Sequence, residues 1–219
     1  MGFAKSETEQ LYATLSGCIP FYGLCRFRAV EHIMTSSPCG GELVMVLFNN
    51  GYPARIHIIG SVGSGKTTLA KTLSVKLNVP HYELDNVVRK RSKSGDIRRS
   101  DEERDEYLAE IVNSDTWIIE GAHHKWVLEG FQKADLIIFL DVGYHKRVVR
   151  IVKRFILQKL GMEKSNYRPT IRMFKMMFVW NASFERESKP EILSILRQYQ
   201  DKLLVLKDNT QVELVGHFD

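Results

Sequence analysis

Cysteine is scarce, and all three residues (Cys18, Cys25 and Cys39) fall before residue 40. Their spacing matches no zinc-binding pattern, and an odd number makes a poor disulfide framework, so the thiols read as reduced and inert. Long apolar runs are also missing. The longest near the N-terminus covers residues 43–48, far short of the ~20 residues that a membrane span needs. Nor is a signal peptide indicated, because Lys5 is followed by Glu7 and Glu9 and by no sustained apolar segment. A cytoplasmic protein with no membrane partner is expected. No internal repeat or low-complexity tract is found. With 44% hydrophobic and 26% charged residues among 219, the chain is long enough for one full domain and too short for two large ones.

Charge is unevenly placed. Residues 1–54 carry a net −1, so the remainder holds +6 of the total +5. That excess can attract nucleic acid, but it also suits a protein that handles phosphates. The second reading is preferred, because the strongest motif asks for anionic ligands.

Organisation changes near residue 54. Before it, Gly17, Pro20, Gly23, Pro38, Gly40 and Gly41 interrupt every helical pattern, with room for a short helix over 8–15 and a loop over 36–41. After it, short apolar runs alternate with helical patterns, the signature of βαβ units. Residues 1–54 are therefore expected to be an N-terminal extension, poorly ordered or loosely attached, with Met34 and Met45 as alternative starting points. The apolar run 43–48 argues the other way, as an added strand or a partner contact. Residues 55–219 are expected to form one domain. Strands are expected over 55–59, 81–84, 116–120, 136–141 and 203–206. Helices are expected over 66–77, 101–112 (capped by Ser100 with Glu103), 126–133, 144–160, 170–183 and 190–200. For the tail, Thr210 and Glu213 favour a short helix over an edge strand at 211–215.

Residues Gly60, Ser61, Val62, Gly63, Ser64, Gly65, Lys66 and Thr67 match G-x-x-x-x-G-K-[ST] in full, between an apolar strand and a helix. Glycines let consecutive N–H groups turn toward one anion, and the helix N-terminus adds partial positive charge. Lys66 can reach the β- and γ-phosphates, and the Thr67 hydroxyl can ligate Mg²⁺. A nucleoside triphosphate, ATP with Mg²⁺, is the expected ligand, with Lys66 solvent-facing in the free protein. A metal also wants a carboxylate at a neighbouring strand end. Glu120 and Asp85 are the candidates, each with a strand-end cap as the alternative; Asp141 has a similar place, but a cap reading is preferred there. On the helix after Asp141, Arg150 and Arg154 share a face with Lys146 and Lys153, either to neutralise phosphate or as a solvated basic face. Residues 161–170, with Lys164 and Arg168, are a mobile cover or an inert connection. The Met and aromatic stripe over 173–180 reads as core. His123 and His124, being adjacent, should point opposite ways, and neither is favoured as a catalytic group.

Taken together, residues 60–68 including Thr68, then Glu120-Gly121, then Arg150 and Arg154 resemble the adenylate-kinase-like branch of phosphate-loop kinases. With Leu84-Asp85, the run 117–121, Trp180-Asn181, Arg186 and Pro190, the chain is most similar to the group called DNA topology modulation proteins. The resemblance implies that Glu120 holds the metal and that Arg150 and Arg154 contact donor phosphates. Two features depart from it. Glutamate stands at 120 where aspartate is usual, and Ala122-His123-His124 replaces the Phe-Pro-Arg that would hold an acceptor nucleotide. The expected fold is a three-layer α/β phosphate-loop NTPase with a central parallel sheet in the order 2-3-1-4-5 and a small lid near 155–170. The expected activity is Mg²⁺-dependent transfer of phosphate from ATP to a small-molecule acceptor. Lys66, Arg150 and Arg154 would stabilise the moving group, and Asp85 would orient or deprotonate the acceptor. The alternative is a non-enzymatic nucleotide switch acting on a partner such as DNA, for which no reading motif is present.

Overall fold

A computed structural model of the chain describes residues 30–36, 42–48, 52–92, 95–162, 170–210 and 212–216. The three cysteines, the helix expected over 8–15, and Lys164 and Arg168 of the expected lid lie outside the described residues.

Five short apolar runs form the centre. β3 (Arg55–Gly60), β4 (His81–Glu83), β7 (Trp117–Gly121), β8 (Leu136–Leu140) and β9 (Leu203–Leu206) make a sheet in the order β4-β7-β3-β8-β9. Every neighbouring pair is parallel. Counted within this sheet alone, the order is 2-3-1-4-5. Across the chain the numbering differs, because β1 (Val30–Ser36) and β2 (Glu42–Phe48) precede it and a two-residue hairpin, β5 (Arg89–Lys90) with β6 (Ile97–Arg98), interrupts it.

All residues of β7 and β8 are buried, as strands covered on both faces must be. Alternation sends successive side chains to opposite layers. Ile59, Trp117, Ile119, Ile137 and Phe139 join one core with α3 (Asp101–Val112), α4 (Leu128–Lys133) and α7 (Lys189–Leu196). Ile56, Ile58, Ile118, Ile138 and Leu140 join the other, with Leu69, Ala70 and Leu73 of α1 (Lys66–Leu77). Each such side chain contributes roughly 1.5–3 kcal/mol on burial, so the two layers hold the strand ends in register. The capping box at Ser100 and Glu103 forms as expected.

Other boundaries shift. β4 stops at Glu83, and Leu84–Val88 makes a helical turn, α2. After α5 (Tyr144–Lys159) and α6 (Ile171–Ser183), the chain makes a π-turn over Phe184–Ser188 before α7, and a 3-10 segment over Arg197–Lys202 follows. The expected C-terminal helix is corrected. Thr210 does not cap a helix, because its amide and its hydroxyl both donate to Asp208 Oδ1 (3.0 and 2.9 Å) and close a turn. The chain then runs into β10 (Val212–Gly216), parallel to β2, while β2 pairs antiparallel with β1. The apolar run 43–48 thus lies in a strand of a separate three-stranded sheet, β1-β2-β10.

Candidate nucleotide-binding site

The loop after β3 and the strand-end acid Glu120 lie at the carboxyl edge of the five-stranded sheet. Ile58 stands between Glu120 and Ile138, and Glu83 is opposite Glu120. The loop after β3 therefore emerges beside the ends of β7 and β4. Gly63 and Gly65 have φ of 75° and 92°, angles that only glycine adopts without strain. Their lack of a side chain also admits neighbours: a Cβ at Gly63 would stand 3.0 Å from the Arg147 carbonyl, and one at Gly65 2.7 Å from Asn209. The loop is thus clamped between α5 and the turn after β9. Ser61 and Ser64 are buried, and their hydroxyls have no partner among the described residues.

Thr67 Oγ1 donates to Glu120 Oε1 at 2.6 Å. Glu120 is 5% exposed. Burial pushes its carboxyl above the ordinary range, against the pull of Lys66 and Thr67. Lys66 is half-buried rather than solvent-facing, and its Nζ donates to the Ser61 carbonyl at 2.7 Å. Desolvation lowers its pKa, while Glu120 and Asp85 oppose that fall and Arg154 and Arg147 add to it. The correction has a cause: α1 begins at Lys66, so the side chain folds back over its own loop. Thr68, next on α1, is exposed.

Asp85 is exposed on α2, with Oδ1 3.6 Å from His123 Nε2, an ion-pair separation longer than a hydrogen bond. Contact with His123 holds its carboxyl below the ordinary range, with help from Lys66 and Arg91. His124 turns the other way and is buried, Nε2 lying 2.7 Å from Glu191 Oε2. Asp141 is structural: it is buried between Lys189 (2.8 Å) and Lys207 (2.6 Å).

The arginines divide by role. Arg150 donates to the Ser64 carbonyl and to Asp208 Oδ2, both at 2.9 Å, so it braces the loop. Arg154 is half-buried and within electrostatic reach of Lys66. Arg147, which the pattern had not singled out, is fully buried, with its guanidinium over the Phe184 ring and paired with Glu185. Charge continues from Glu185 through Lys189 to Asp141 and Lys207. Asp208 completes the brace. Burial alone would raise its pKa, yet hydrogen bonds from Lys146 and Thr210 and the charge of Arg150 bring it down to about 2. The strand-end rule that found Asp85 and Glu120 would have found Asp208, two residues past β9. Arg147 belongs to the basic run of α5, and nothing in that run sets it apart as buried.

A family model described as an AAA domain matches residues 56–164. A curated adenylate kinase from Wigglesworthia glossinidia brevipalpis is 49% identical over 45 residues, which are 20% of this chain. The chain thus spans about a fifth, 21%, of that relative's length. A shikimate kinase structure from Bacteroides thetaiotaomicron is 20% identical, covering 72% of this chain and 88% of its own, with a TM-score of 0.46. A gluconokinase structure from Sinorhizobium meliloti is 14% identical over 76% and 84%, with a TM-score of 0.35. Neither superposition is close enough to bear on the site. The family match and the shared segment support a phosphate-loop NTPase of the kinase-like kind. They do not reach the narrower likeness to topology modulation proteins.

Proposed function

We propose that the chain transfers the γ-phosphoryl group of ATP, bound with Mg²⁺, to the hydroxyl of a small-molecule acceptor. The reading rests above all on the Thr67–Glu120 hydrogen bond, 2.6 Å long, on a complete phosphate loop beside Lys66. Two hard oxygen donors meet there, and the carboxylate is buried with its charge only partly offset, which fits a divalent cation. Among the described residues no three His, Cys, Asp or Glu side chains form a metal cluster of their own. Such an ion would therefore arrive with the nucleotide, held by Thr67 and Glu120. When bound, it would offset charge on the phosphate oxygens.

The loop amides from 60 to 67 and the α1 N-terminus cradle the phosphates. Lys66 exchanges the Ser61 carbonyl for a phosphate oxygen. Arg154 lies within electrostatic reach of it, and Arg150 holds the loop in shape. Asp85, opposite on α2, orients the acceptor. No helix among the described residues is long and apolar enough to cross a membrane.

The test is transfer from γ-labelled ATP across a panel of hydroxylated metabolites, with and without Mg²⁺. Label should appear in one acceptor class and only with the metal. ATP binding without transfer, joined to a nucleotide-dependent change in affinity for a macromolecule such as DNA, would replace the kinase with a switch.

A further inference from the structure

We infer that His123, backed by Asp85, is the group that takes the proton from the acceptor hydroxyl; this rests on the phosphotransferase reading and assigns a catalytic residue within that site. Ala122-His123-His124 follows β7 directly, so the His123 backbone leaves the sheet two residues past Gly121. Its imidazole is half-buried, and the ring packs against Trp126 with centroids 5.2 Å apart. Trp126 is fixed in turn. The Arg104 guanidinium covers its ring at 4.7 Å, and Arg104 is anchored to Asp101 and Asp105 of α3. The imidazole is therefore held from behind by a helix and a tryptophan.

Its Nε2 faces Asp85 Oδ1 at 3.6 Å, so Nδ1 is the nitrogen turned away from that carboxylate. The surrounding charges are Asp85 and, through it, Arg91 and Lys66, with Glu83 and Glu120 on the adjoining strand ends. A carboxylate held below its ordinary range is a weak base near neutral pH. An imidazole, with a reference pKa of about 6.5, is better matched to a proton in flight. Asp85, at ion-pair separation, is then suited to stabilise the imidazolium that forms, a division of labour that recurs in base–carboxylate pairs.

The step balances. The hydroxyl oxygen forms a bond to the γ-phosphorus as the bond from that phosphorus to the β–γ bridging oxygen breaks. ADP leaves with the electron pair, and the hydroxyl proton passes to His123 Nδ1. Water can serve as the acceptor in the same geometry, which makes a test possible without the natural substrate.

The experiment uses the full chain with ATP·Mg²⁺ bound, and reads single-turnover release of labelled phosphate with and without added imidazole. His123→Ala and Asp85→Asn should each slow release by on the order of 10²-fold, with ATP affinity unchanged within about 2-fold. The double variant should be no slower than His123→Ala, since the two act as one unit. Added imidazole should restore the His123→Ala rate in proportion to its neutral form, which a packing role on Trp126 would not produce. Wild-type release equal to that of the variants, including no release at all, overturns the assignment while ATP still binds. Loss of ATP binding to the wild-type chain would instead bring down the nucleotide-site reading beneath it.

Discussion

Lys66 and Glu120 share a half-dry pocket in which each limits the other's loss of charge. Removing the ammonium therefore does two things: it deletes a phosphate contact and lets burial push the Glu120 carboxyl higher. Lys66→Ala should weaken or abolish ATP·Mg²⁺ binding without unfolding the protein, checked by isothermal titration with circular dichroism as control. Unchanged affinity in the folded variant would remove the site. Arg150 and Arg154 should separate. Replacing either with Ala should lower kcat by on the order of 10² or more, with a smaller effect on ATP affinity. Arg150→Ala should be imitated by Asp208→Asn, because Arg150 donates to that carboxylate while bracing the loop. A single-turnover assay on the three variants distinguishes bracing from direct contact. His57 sets a different test at the same scale. It is fully buried in β3, its ring 4.3 Å from Phe131, and desolvation brings its pKa down to about 3. The folded protein keeps this imidazole neutral, whereas the unfolded chain protonates it below about 6.5. Stability should then fall as pH drops from 6.5 toward 3, by about 1.4 kcal/mol per unit. Between pH 7 and 5 the wild type should lose about 2 kcal/mol more than His57→Phe in urea unfolding. Parallel losses in both proteins would show that His57 titrates normally.

At the scale of elements, α5 is the part least visible in the sequence. Arg150 and Arg154 could be read from their i, i+4 spacing, but Arg147 could not, because a fully buried arginine contradicts the ordinary partition of charge. Its partner Glu185 lies 38 residues away on a π-turn, an element with no reliable local signature, and only the packing of α6 beside α5 brings them together. The expected 190–200 helix fails at Tyr199 for a similar reason: its ring joins the core, and the backbone there leaves helical angles. Both surprises sit where tertiary contacts override local preference. They also predict a cost. Glu185→Gln leaves the Arg147 guanidinium buried over Phe184 with a weaker partner. Stability should fall by about 2 kcal/mol, the low side for a broken buried pair because Glu185 itself is 32% exposed. Urea unfolding measures it. Arg147→Met with Glu185→Gln should recover part of the loss, since an apolar replacement removes the stranded charge. A single variant as stable as wild type would mean that the pair contributes nothing net.

For the whole molecule, what was legible follows periodicity: the five strands of the central sheet, the helices between them and the loop 60–67 all came from patterns a few residues long. The tail was misjudged because Thr210 and Glu213 form a correct local cap pattern, while the partner that makes residues 212–216 a strand, β2, lies more than 160 residues earlier. That pairing sharpens the question of the N-terminal extension. Strands β1, β2 and β10 form their own sheet, apart from the five strands that carry the site, and β10 touches the main core through Val212. Every residue proposed to bind ATP lies between Gly60 and Arg154 and is held by α1, α5, β7 and the turn after β9, none of them in the extension. The extension is thus proposed to be dispensable for binding, with the sheet it shares acting as an appendage. A chain starting at Tyr52 removes β1 and β2 whole, and a chain starting at Met45 removes β1 and cuts β2 within its length, leaving an unpaired strand edge. The Tyr52 form should bind ATP like the full chain and melt within about 8 °C of it, equivalent to roughly 2 kcal/mol for a domain of this size. The Met45 form should bind equally well but aggregate more readily on heating. A larger fall in melting temperature for the Tyr52 form, or weaker ATP binding, would make the second sheet integral and move the domain boundary to β1.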